Sequence, residues 1–231
     1  MTDPSMQGTP SGTLAERYSL AEIDATCRKA TRGAGYPWGL AEEAGKAARW
    51  LAARGLPGPE ALAGLLTEND GRAYADMQPV HTASGWQAAS GRLCPIMAGA
   101  ALEDRALDLV TDARVYASNL SWPLLLLPFL AQAARLANVG LATGWQDLEV
   151  LINPAGIGLN GPRERCLTAH TSRIDIQTAD ATPCPIPSSA LGCPVPAPAW
   201  QILDRFSART YVPASAASRL AGAGAGIHDS D

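Results

Sequence analysis

The chain has 231 residues, with 18 Lys+Arg against 22 Asp+Glu and a formal net charge of −4. An apolar content of 47% with low net charge per residue excludes a disordered chain, and the mildly acidic balance gives no electrostatic footprint for nucleic acid or anionic lipid. The length suits one domain of generous size or two small ones.

Residues 1–18 are rich in Ser, Thr, Gly and Pro and read as a disordered tail. Order is expected from Ser19, because Ser19-Leu-Ala-Glu22 is a capping box that opens a helix. Leu20, Ile23, Cys27 and Ala30 then share one helical face, and Gly33 and Gly35 end it. A second helix runs from Pro37 to Arg54, with Leu40, Ala44, Ala47 and Leu51 as its seam. Gly45 in its middle costs about 1 kcal/mol against Ala and so points to a close backbone approach by a neighbour. A third short helix covers residues 59–67, with Leu62, Leu65 and Leu66 inward. Residues 19–67 are thus a helical segment.

After Asp70-Gly71 the character changes. Residues 92–97, 110–117, 124–127, 148–152 and 172–178 have strand-like length and content. In the last, Ile174 and Ile176 alternate with Asp175 and Gln177. A helix is expected over residues 128–138, closed near Gly140. Six prolines in 182–199 exclude both helix and central strand and give an extended connector. A short helix over 200–208 precedes the terminal segment. The fold class is α/β or α+β: a single domain over 19–231, with the N-terminal helical segment packed on a mixed β-sheet.

Residue counts exclude further chemistry. Two lysines, Lys29 and Lys46, stand among the 18 basic residues, and both fall on polar helical faces, which disfavours a lysine-based covalent mechanism. The arginine bias, with 43 alanines, is that of a high-GC bacterial coding sequence. Five cysteines at irregular spacing read as reduced thiols. No basic stretch followed by an apolar one opens the chain, and no apolar run approaches the roughly 20 residues a membrane span needs. A cytoplasmic protein with no membrane and no nucleic-acid partner is the simplest expectation.

Gly156-x-Gly158-x-x-Gly161 matches a dinucleotide-binding pattern, with Asp180 downstream, but residues 162–171 supply no apolar helical face. A hairpin or wide loop is the better expectation, and no cofactor is expected. Cys166, His170, Cys184 and Cys193 match no compact zinc site, so no metal is expected either. The stretch around Cys94 is the more informative one. Cys94 and His81 are the candidates for nucleophile and base, with a buried structural thiol as the alternative for Cys94. Near the end of the chain, Tyr211, Ser215, Ser218, Arg219, Gly222 and Gly224 combine small residues with a planar guanidinium, and with Arg92 they would bind a small anionic metabolite; a flexible tail is the alternative on composition.

Three segments together carry a resemblance. Ser19-Leu-Ala-Glu-Ile with Trp38-Gly-Leu-Ala-Glu-Glu-Ala-Gly, Leu93-Cys-Pro-Ile-Met-Ala-Gly-Ala, and Arg209-Thr-Tyr-Val-Pro-Ala-Ser with the following Gly-Ala run resemble a bacterial family of unknown function, the DUF3726 type. The resemblance spans about residues 19–231 and implies that the Gly-Ala run is a family feature. The ending Asp229-Ser230-Asp231 departs from the family's Asp-Asn-Asp. Two functions are expected in competition: a small-molecule enzyme or accessory subunit acting on a carboxylate or amide, and a non-catalytic ligand-binding or oligomeric assembly protein whose alanine-rich helices form the seam of a homo-oligomer.

Overall fold

The computed structural model describes residues 16–82, 85–111, 114–180 and 182–211. The elements, in chain order, begin with β1 (Glu16–Tyr18), α1 (Leu20–Gly33), α2 (Trp38–Ala52), α3 (Gly58–Asn69) and the single turn α4 (Tyr74–Met77). A hairpin β2 (Pro79–Thr82) and β3 (Gly85–Ala88) leads to α5 (Pro95–Asp104), the short α6 (Asp108–Thr111) and β4 (Arg114–Ser121). There follow α7 (Leu127–Ala137), β5 (Leu141–Trp145), β6 (Leu148–Asn153), β7 (Gly156–Asn160), β8 (His170–Thr178), β9 (Cys193–Val195) and α8 (Ala197–Ala208).

The capping box forms as the sequence requires. Ser19 Oγ accepts from the Glu22 N–H at 3.2 Å, and Glu22 Oε2 accepts from the Ser19 N–H at 2.8 Å. The close approach expected at Gly45 is that of α1: a side chain at 45 would meet the Asp24 carbonyl at 2.9 Å and Arg28 Cβ at 3.1 Å. Helices α1, α2, α3 and α8 pack together, and α5 and α7 form a second pair beside them. Leu62, Leu65 and Leu66 of α3 are fully buried, each stabilising the fold by about 1.5–3 kcal/mol relative to exposure.

The seven-stranded mixed sheet has the order β2-β3-β4-β8-β5-β6-β7. Only the β3–β4 pair is parallel among its described pairings. Val115 and Ala117 of β4 sit in register with Ile176 and Ile174 of β8 and are buried toward the helices. Arg114, Arg173 and Asp175 point the other way and are exposed, as the period-two pattern of the strands dictates. The mixed sheet with its N-terminal helical segment is the expected fold class.

Several expectations are corrected. Order begins before Ser19, because Glu16–Tyr18 pair antiparallel with Cys193–Val195 inside the proline-rich stretch. Residues 92–97 do not form a strand: Cys94 is the N-cap and Pro95 opens α5, where proline's fixed φ suits a first helical turn. Residues 124–127 lie in a 3₁₀ turn (Pro123–Leu126) running into α7. Gly156–Gly161 does form a hairpin arm, β7 on β6, turned by Asn153 Oδ1 accepting from the Ala155 and Gly156 N–H groups. The alanine seams are consumed within the chain: Ala44, Ala47 and Ala48 of α2 and Ala133 and Ala134 of α7 are buried in its own core.

Candidate functional site

The fold gathers a polar cluster where the C-terminus of α3, the approach to α5, the end of β4 and the start of β8 converge. Its centre is Glu68, in the last turn of α3, whose side chain is 14% exposed. A carboxylate there faces the negative end of the helix dipole and is costly unless donors surround it. Four surround it. Oε1 accepts from Arg92 Nη1 and from the buried Ser121 hydroxyl at 3.2 Å. Oε2 accepts from the Trp122 indole N–H at 3.3 Å, and His170 Nε2 lies 3.5 Å from the same oxygen.

Local backbone geometry places each donor. Leu93 donates its N–H to the Asn119 carbonyl at 2.9 Å and accepts from the Ser121 N–H at 3.1 Å, so the segment carrying Arg92 is laid along the end of β4. Trp122 then has φ 44°, in the left-handed region, which is an outlier for a bulky residue and is held here by its surroundings. Its N–H donates to the Ala169 carbonyl at 2.7 Å, tying it to the residue before His170. His170 is also the register partner of Ser121 across β4 and β8.

Beneath this cluster lies a drier one. The Tyr36 hydroxyl accepts from Asn69 Nδ2 at 2.9 Å and lies 3.5 Å from Cys94 Sγ and 3.9 Å from Met77 Sδ. Both Tyr36 and Cys94 are buried. Burial raises the pKa of both groups above its ordinary value. For Cys94, the Tyr36 hydroxyl and the Ile96 and Met97 N–H groups oppose that rise without cancelling it. The Cys94 thiol is therefore buried and poorly ionised.

Among the described residues, the other sequence-expected ones lie apart from this cluster. His81 is exposed on β2, its ring 5.0 Å from that of Trp86, and makes no hydrogen bond to Cys94. Among the described residues, Arg92 alone of the expected ligand-binding residues enters the Glu68 cluster. Tyr211 lies past α8, exposed, accepting from Lys29 Nζ at 3.4 Å. The nearby Arg209 forks onto Asp70 at 2.6 and 2.9 Å. Ser215, Ser218, Arg219, Gly222 and Gly224 lie outside the described residues.

Sequence reasoning missed Glu68, Ser121, Trp122 and His170 as a group. They come from three separate stretches with no motif spacing; only the β4–β8 register and the placement of α3 unite them. Among the described residues no three His, Cys, Asp or Glu side chains converge as a metal site, and no helix is long and apolar enough to cross a membrane.

Chemically, the cluster offers an exposed cation and an exposed imidazole, both braced by one shielded carboxylate. Arg92 uses only Nη1 on Glu68, and its side chain is 43% exposed; that of His170 is 46% exposed. Such an arrangement can hold an anion on the guanidinium and present the imidazole for proton transfer.

No curated protein matches the sequence. Among solved structures, the chain is similar to malate dehydrogenase from Entamoeba histolytica, at 12% identity and TM-score 0.44, over 64% of this chain and 49% of that one. It is also similar to malate dehydrogenase from Pyrococcus horikoshii OT3, at 9% identity and TM-score 0.43, over 85% of this chain and 67% of that one. The chain thus spans about half the length of the first of these. Residues 18–94, which carry Glu68, Arg92 and Cys94, match the family described as "Protein of unknown function (DUF3726)", the family that the sequence resembles.

Proposed function

We propose that the protein binds a small carboxylate at Arg92 and acts on it by proton transfer through His170, with Glu68 as the positioning residue. The observation that carries this reading is the shared carboxylate: one shielded Glu68 accepts from Arg92 and also lies 3.5 Å from His170. A guanidinium fixed through one nitrogen keeps its remaining donors for a ligand carboxylate. An imidazole beside a carboxylate is oriented and supported as it gains a proton. His170 takes the role of base that the sequence assigned to His81, and Cys94 supports the site from below through the packing around Tyr36 and Asn69.

Thermal denaturation in acetate, malonate and succinate, at fixed ionic strength and with chloride as the control, tests this reading. At least one carboxylate should raise the melting temperature of the full chain, and R92Q should lose that response. Equal melting in every carboxylate and in chloride overturns it. An assembly role through the alanine seams has less support, because those alanines are already buried within one chain.

A further inference from the structure

A second cationic recess lies apart from the residues of the Glu68 cluster. It is a cavity of about 520 Å³ over the outer face of α2, lined by Leu20, Lys46, Arg49, Trp50, Arg54 and the 188–190 loop. A volume of that order suits a small metabolite. The loop is fastened over the end of α2 by the Ser189 N–H donating to the Ala53 carbonyl at 2.6 Å. Ser188 and Ser189 are exposed at its wall.

Arg54 is the unusual member. Its guanidinium stacks on the Trp50 indole, 3.7 Å from the ring centroid, and Nη1 donates to the Trp50 carbonyl at 3.1 Å. Its Nε is buried without a hydrogen-bond partner. Lys46 and Arg49 each have an acid, Glu43 at 2.7 Å and Asp24 at 3.7 Å, whereas no carboxylate among the described residues pairs with Arg54. Burial accordingly lowers its pKa with nothing to offset it. A partly desolvated guanidinium without a paired carboxylate is costly, and the charge of a bound anion offsets that cost.

We propose that this recess is a binding site for a phosphate-bearing small molecule. Arg54 and Arg49 supply planar forks for the phosphoryl oxygens, Lys46 a point charge, and the Ser188 and Ser189 hydroxyls neutral donors. Several converging donors suit a phosphate, with its many acceptor oxygens, better than a carboxylate. Trp50 gives the organic part an aromatic wall.

Calorimetric titration of the full chain with phenyl phosphate, inorganic phosphate and benzoate at constant ionic strength tests the assignment. Saturable binding of phenyl phosphate is expected, weakened about tenfold or more in R54Q and unchanged in R92Q, which separates this site from the Glu68 cluster. Inorganic phosphate should bind more weakly at the same site. The exposed change K46Q keeps the test open should R54Q fail to fold: weaker binding supports the site, and unaltered binding overturns it. Absence of saturable binding to the unaltered chain, or benzoate binding as well as phenyl phosphate, also overturns it.

Discussion

Trp122 fills the space that Gly64 leaves empty. A Cβ at position 64 would lie 2.1 Å from the indole, and the same indole donates its N–H to Glu68, one turn further along α3. The missing side chain thus sets the position of a donor to the central carboxylate.

Gly64→Ala is therefore expected to destabilise the protein, although alanine is the better helix former. Overpacking a rigid ring costs about 1–3 kcal/mol against about 1 kcal/mol gained in helix propensity, so the net change is a loss of up to about 2 kcal/mol. Urea denaturation measures it; a gain in stability would show that the indole moves aside freely.

Glu60, in the first turn of α3, has a buried Oε2 without a partner, and burial raises its pKa above the ordinary value. The folded state therefore holds this proton more tightly than the unfolded state. Stability is lost as pH rises from the ordinary glutamate range through the raised value, and remains lost above it. Glu60→Gln should melt near the parent at pH 4 and progressively above it toward pH 7. A difference independent of pH, or one of opposite sign, contradicts this.

The thiols should separate by access. Cys27, Cys94, Cys166 and Cys193 are buried, and burial raises the pKa of each; Cys184 is exposed. Labelling with a disulfide reagent at pH 7.5 should give one fast-reacting thiol, absent in C184S. A fast thiol that persists in C184S would mean that the layer around Tyr36 or the α1 face opens in solution.

How far the sequence foretold this arrangement depends on the range of the interaction. Ser19 and Glu22 were legible because a capping box needs only four residues. Gly45 was legible because a glycine inside a helix demands a close neighbour. Ile174 and Ile176 were legible because burial on one sheet face imposes alternation. The run from Arg92 to Met97 misled, since a short apolar stretch has no period of its own and Pro95 begins α5 instead of interrupting a strand. The Glu68 cluster was illegible for a different reason. Arg92 was singled out as a cation, but its partners at 68, 121, 122 and 170 are joined through β-register and helix packing, and neither leaves a mark in spacing.

The central claim is that His170 and Arg92 serve one carboxylate site through Glu68. The chain has only three histidines, so the imidazole resonances of His81, His170 and His228 can be assigned by single substitution to Gln and followed by NMR during a malonate titration. A saturable shift of the His170 resonances is expected that is lost in R92Q, with those of His81 unmoved. No shift of His170 at saturating malonate, or the same shift in R92Q, would contradict it.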